Sequence, residues 1–283
     1  MKFGLYGINT GACSEPDVST RVAKTAEASG FDSVWTAEHV VLPDPQAPPS
    51  PAPPHMKLLD PAVALAFIAA HTTKLLLATG IIILPQRNPV VLAKELASVD
   101  RLSKGRLIFG LGAGYLKPEF QALGAPFADR GKRTDEYIEA IVALWTQEKP
   151  EYKGEYVAFG GIQAQPRPVQ QPHPPIVVGG MSPSALRRAA RYGNGWYGFA
   201  LDLKATEHAI EGLRAAEQRF DRASGLGRLE LTITPPGPVD ADTARRYAAL
   251  GIDRLVLLNP GRNEGDQVAF VEKAGRELVA PLA

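Results

Sequence analysis

The chain has 283 residues, 45% of them hydrophobic and 22% charged, with a formal net charge of +1. That balance describes an ordinary globular protein rather than a disordered or membrane one. Lys and Arg alternate with Asp and Glu without runs of like charge, so neither nucleic acid nor a membrane surface is an expected partner.

In chain order, the apolar pattern predicts a strand over residues 3–8 that ends in Asn9-Thr10-Gly11. A helix follows from Pro16, with Val18, Val22, Ala23 and Ala26 on one face and Gly30 as its stop. The second strand is Ser33-Val34-Trp35, which passes through Glu38-His39 into a proline-dense stretch and a helix over 61–70. The cycle then repeats as strand 75–84, helix 90–102, strand 106–111 and a long helix over 133–145. The second half reads as strand 176–178 with helix 183–192, and strand 196–199 with helix 206–220. Strand 229–233 with helix 241–250 and strand 254–258 with helix 267–278 complete eight units.

Strands alternating with helices imply a parallel sheet, and continuous runs such as Leu75-Leu76-Leu77-Ala78 suit strands covered on both faces. The expected fold is therefore α/β, a single (β/α)8 TIM barrel over residues 1–283, with an open doubly wound sheet as its rival. Two insertions stand out, one after strand 2 (40–60) and one between helix 4 and strand 5 (149–175). The first contains DPQAPPSPAPP; it reads as a linker by composition and, by its place after a strand, as a stiffened substrate-side loop. The second is expected to hold a hairpin, with Tyr156-Val157-Ala158-Phe159 as a strand and Gly160-Gly161 as its turn.

Catalytic groups of a barrel lie at the strand C-termini. Those positions are Asn9, Glu38-His39, Gly80-Ile81, Gly112-Ala113-Gly114-Tyr115, Gly179-Gly180-Met181-Ser182, Asp202, Thr234 and Asn259. They are poor in acids, and no metal site is expected. Lys74 precedes its strand, so it sits on the wrong rim for a Schiff base. Cys13 is the only cysteine, which removes disulfide and dithiol chemistry and suits a reducing compartment. With no membrane-length apolar run and no secretion-signal pattern, the cytoplasm is the expected location.

A site with few reactive side chains and many glycines points to a bound cofactor. Gly179-Gly180-Met181-Ser182 ahead of Pro183 suits either a phosphate at a helix N-terminus or an ordinary turn capped by Ser182. Gly110-Leu111-Gly112-Ala113-Gly114 resembles a dinucleotide loop, but no helix is expected to begin at 116–118, so space for an aromatic ring fits better. His39, beside Glu38, is placed to act as a general acid or hydrogen-bond donor, while His71, His173 and His208 read as structural or exposed.

Three stretches, GFDSVWTAEH (30–39), TGIIILPQRNPVVLAKELASVDRLSKGRLIFGLGAGY (79–115) and PPIVVGGMSPSALRRAARYGNGW (174–196), resemble the luciferase-like monooxygenase superfamily. Within it, the chain is similar to the coenzyme F420-dependent oxidoreductases of actinobacteria. The resemblance implies a non-prolyl cis peptide at Gly80-Ile81 behind a deazaflavin ring and His39 near the ring's reactive edge. It also implies that Gly112-Ala113-Gly114 and Gly179-Gly180-Met181-Ser182 line the cofactor's polar tail and phosphate, and that the protein is a homodimer. The expected cofactor contacts are thus Asn9, His39, Thr79, Gly80, Ile81, Gly112, Ala113, Gly114, Tyr115, Gly179, Gly180, Met181 and Ser182, and the expected catalytic pair is His39 and Glu38. The implied reaction is hydride transfer between F420 and a small organic substrate. An FMN-dependent monooxygenase and a non-catalytic flavin-binding protein are the alternatives. Family members that use sugar phosphates hold the phosphate with basic residues, and no such set is identifiable here. Val40, Val41, Leu42, Trp196, Tyr197 and Phe199 would suit a hydrophobic substrate or the core.

Overall fold

The computed structural model describes residues 1–222 and 225–282. Its first half runs β1 (Lys2–Tyr6), α1 (Pro16–Ala28), β2 (Ser33–Trp35), α2 (Pro61–His71), β3 (Leu76–Ala78), β4 (Ile82–Ile83), α3 (Pro89–Leu102), β5 (Leu107–Gly112), α4 (Lys117–Ala122) and α5 (Arg130–Thr146). A small hairpin, β6 (Tyr152–Lys153) and β7 (Ala158–Phe159), separates this half from β8 (Ile176–Gly179) and α6 (Pro183–Tyr192). Then follow β9 (Gly195–Phe199), α7 (Leu203–Arg219), β10 (Glu230–Thr234), α8 (Ala241–Ala249), β11 (Arg254–Leu258) and α9 (Glu264–Ala274).

The barrel closes because β1 pairs in parallel with both β2 and β11, while β3 pairs with both β2 and β5. The ring continues β5, β8, β9, β10 and β11, all parallel. The staves are apolar on both sides because they separate two cores. The larger core lies between strands and helices; the smaller fills the barrel with Trp35, Ala78, Ile108, Val177, Tyr197 and Val256.

Helix starts follow local chemistry. Asp60-Pro61, Asn88-Pro89 and Ser182-Pro183 each supply an oxygen that accepts amide protons of the first turn, followed by a proline that needs no partner there. Among the described residues no helix is long and apolar enough to cross a membrane.

Several sequence expectations change. The strand expected over 75–84 breaks after Ala78, and the stave resumes as β4, which pairs with β5 beyond a bulge. A helix does begin at Lys117, because Pro118 sits in its first turn, where its missing amide costs nothing. The hairpin turn is residues 154–157 rather than Gly160-Gly161. That turn is held by the Glu136 carboxylate, which accepts the amides of Glu155, Tyr156 and Val157 at 2.7–2.9 Å.

At the closed end of the barrel, the guanidinium of Arg254 is 1% exposed and donates to Asp32 at 2.9 Å and to Glu230. Removing one partner of such a group leaves charge stranded in poor solvent. We expect Arg254→Met to lower the unfolding free energy by about 3 kcal/mol. Urea denaturation of the variant checks this, and an unchanged midpoint would contradict it.

Candidate active site

The open end of the barrel encloses a cavity of about 520 Å³. Its floor is aromatic: the Tyr6 and Phe199 ring centroids are 5.0 Å apart, those of Tyr197 and Phe199 6.4 Å, and Trp35 lies 5.0 Å from Tyr197. One wall is the glycine-rich ends of β5 and β8, and the facing wall is the first insertion, which contributes Ala52, Met56 and Leu58.

That insertion returns across the end of β1. Leu59 donates its amide to the Asn9 carbonyl at 3.0 Å, Gly11 donates to the Lys57 carbonyl at 3.0 Å, and Thr10 bridges Leu58 in antiparallel fashion. The Asn9 side chain fastens the joint, donating to the Ala37 and Leu59 carbonyls and accepting the Ala37 amide at 2.7–2.9 Å.

Between β3 and β4 the Gly80-Ile81 peptide is cis, as the resemblance implies. Thr79 pins the bulge from inside: its hydroxyl donates to the Gly110 carbonyl at 2.7 Å and accepts the Gly110 amide at 2.8 Å. A Cβ at Gly110 would overlap the Thr79 carbonyl, and one at Gly112 would overlap the tip of Ile81, so only glycine admits this approach.

Glu38 pins the bulge from outside. Its carboxylate accepts the Ile83 amide and both Nε and Nη2 of Arg87, and Arg87 continues to Asp60 at 2.7 Å. Burial pushes the Glu38 carboxyl up, opposed by Arg87 and the Ile83 amide.

His39 lies beyond it, with Nδ1 3.1 Å from the Glu119 carboxylate. Glu119 is fully buried on α4, and its other oxygen accepts the Val40 amide at 2.6 Å. Burial alone would raise the Glu119 carboxyl, but the His39 ring and the Val40 amide hold it below the ordinary carboxylate range. An acceptor at Nδ1 keeps the proton there, so Nε2 is the nitrogen available to a ligand.

Of the expected residues, Glu38, His39, Gly80, Ile81, Gly112, Ala113, Gly114, Tyr115, Gly179, Gly180 and Met181 line the cavity. Asn9, Thr79 and Ser182 do not: the first two are wholly engaged as described, and the Ser182 hydroxyl caps α6 at the Ala185 amide, 3.2 Å away. Tyr197 and Phe199 face the cavity, whereas Trp196 is buried in the outer core with its indole donating to the Gly180 carbonyl at 2.8 Å. Glu119 and Tyr6 escaped the sequence reading. An acid soon after a glycine-rich strand end was the available signal for Glu119, and the last inward position of the first strand for Tyr6. Among the described residues no group of three His, Cys, Asp or Glu side chains could hold a metal ion.

Because folding lowers the Glu119 pKa, its stabilising contribution is complete above the unfolded carboxyl value and is lost as pH falls through the folded one. Glu119→Gln should therefore be less stable than the wild type at neutral pH by roughly 1–2 kcal/mol, with the gap closing below about pH 4. Thermal melts across that range check the prediction; a gap that widens in acid would refute it.

The family model for luciferase-like monooxygenases matches residues 6–271. An uncharacterized protein of Mycobacterium tuberculosis is 34% identical over 289 aligned positions, covering 98% of this chain and 99% of its own. An FMNH2-dependent dimethylsulfone monooxygenase of Pseudomonas putida is 31% identical over 143 positions, 50% of this chain and 39% of that one. Among solved structures, an F420-dependent secondary alcohol dehydrogenase in complex with an F420-acetone adduct superposes with a TM-score of 0.80 at 17% identity, covering 99% of this chain and 98% of the other. At that identity the likeness is one of fold. With the family match spanning nearly the whole barrel, the chain belongs to the luciferase-like monooxygenases.

Proposed function

We propose that this chain is an oxidoreductase that holds the deazaflavin coenzyme F420 in the barrel mouth and transfers a hydride between it and a small organic substrate. The observation that carries this reading is the contrast between a large, shaped cavity and its scarcity of reactive groups. Glu38 is tied to Arg87 and Ile83, which leaves His39 as the one imidazole and no metal cluster among the described residues. Redox chemistry in such a site has to come from a bound group.

The residues present fit a planar ring with an anionic tail. Ile81 forms a ledge whose side chain rests over Gly112 and Gly179, and the cavity volume lies in the range of cofactor sites. Beyond Gly179, the Met181 and Ser184 amides at the start of α6 have no partner among the described residues and suit a phosphate. Bound there, a deazaflavin would supply two-electron hydride transfer.

In this reading Glu38 is a positioning residue rather than the catalytic one expected from sequence. It fixes Ile83, and hence the ledge, while Glu119 fixes the His39 ring so that Nε2 can hold or exchange a proton on the substrate. The full-length likeness in fold to an F420-dependent dehydrogenase supports F420, and the FMNH2-dependent relative supports reduced FMN as the second reading.

A homodimer built on α2 is also part of the proposal. That helix carries no charged side chain other than His71 when protonated, and on its outer side Val63 is 67% and Phe67 38% exposed. A helix apolar all round calls for cover on both faces. Sedimentation should report a dimer that Val63→Lys with Phe67→Lys converts to monomer.

Spectroscopic titration with F420 and with FMN in parallel should give saturable binding of F420. Tight binding of FMN alone would move the assignment to the monooxygenase reading. His39→Ala should retain cofactor binding and lose about a hundredfold or more in kcat/KM; wild-type turnover by that variant would remove His39 from the mechanism.

A further inference from the structure

The mouth offers few groups with which to recognise a substrate. Among the described residues Glu38 is the only carboxylate on its lining, already engaged by Arg87, and no lysine or arginine lines it. The Thr10 hydroxyl donates to the Gly7 carbonyl at 3.1 Å, and the Tyr197 hydroxyl pairs with Thr234 at 2.6 Å.

Tyr6 differs. It is the last residue of β1, it faces the barrel interior, and its ring contacts Phe199. Its hydroxyl has no hydrogen-bond partner among the described residues, and it is not one of the polar atoms sealed away from solvent. Burial, reinforced by Tyr115, pushes this phenol well up, so it stays a neutral donor across the physiological range. A donor presented in apolar surroundings favours a ligand that brings an acceptor to it, because leaving it unpaired in a complex costs free energy.

We propose that Tyr6 is a specificity-determining residue whose hydroxyl binds the oxygen of an uncharged, largely apolar carbonyl or alcohol substrate. Anionic analogues are excluded, since a carboxylate or phosphate on the substrate would lose its water without gaining a cation. The proposal rests on the reading of the mouth as a redox site with substrate bound beside the cofactor.

The test uses cofactor-loaded protein and calorimetry with three probes that share a phenyl ring bearing a two-carbon arm: acetophenone, ethylbenzene and 4-acetylbenzoate. In the wild type, acetophenone should bind at least about tenfold more tightly than 4-acetylbenzoate. Tyr6→Phe should weaken acetophenone by about tenfold and leave ethylbenzene within about twofold. Equal binding of acetophenone by wild type and Tyr6→Phe, 4-acetylbenzoate binding as tightly as acetophenone, or no binding of acetophenone to the wild type would each overturn the proposal. The comparison between the neutral and anionic probes needs no variant, so it stands even if Tyr6→Phe fails to fold. Titration of the same wild-type preparation with F420 and FMN separates the two ideas: if neither binds, the redox reading fails, while the probe series on the unloaded protein still decides the role of Tyr6.

Discussion

The carboxylate of Glu38 is the constraint on which the mouth depends. Taking a carboxylate out of water is tolerable only when donors surround it, and here they come from two separate places, the Ile83 amide beyond the bulge and the guanidinium of Arg87. Arg87 in turn reaches Asp60, which caps α2. One buried charge therefore couples the end of β2, the start of α2 and the restart of the third stave. The ledge formed by Ile81 cannot shift without disturbing all three.

The architecture was legible because it rests on patterns that local sequence carries: alternating apolar segments, and a Ser182-Pro183 cap of the kind that recurs in the structure at Asp60-Pro61 and Asn88-Pro89. What misled was geometry imposed from a distance. The apolar run 75–84 looks like one strand by periodicity, and only the resemblance marked Gly80-Ile81 within it; the break after Ala78 is enforced by Thr79 against Gly110 and by Glu38 against Ile83. The helix at Lys117 was hidden by Pro118, whose place in a first turn resembles a breaker when its neighbours are unknown.

The site was legible in the same uneven way. Glycines at strand ends and an imidazole after β2 marked most of the lining. Asn9, Thr79 and Ser182 occupy strand-end positions too, yet each turns its polar atoms to backbone groups, a choice invisible without the neighbouring chain. The opposite error concerns Glu119, 80 residues from the histidine it orients, which only the closed barrel brings into contact.

The first insertion has a consequence for how this enzyme can diversify. Its ends are stitched to β1 and β2 through Asn9 and the Thr10–Leu58 bridge, while Ala52 and Met56 face the cavity opposite the glycine-rich wall. The two sides of the mouth are thus built from separate stretches of chain that meet at the ends of the insertion, through Val40 on Glu119 and Asp60 on Arg87, one side clamped by close backbone approach and the other formed by a proline-rich arc. Exchange of side chains along that arc can redraw which molecules enter without touching the glycines and the buried ion pair that shape the facing wall, so selectivity and cofactor geometry are free to evolve at different rates.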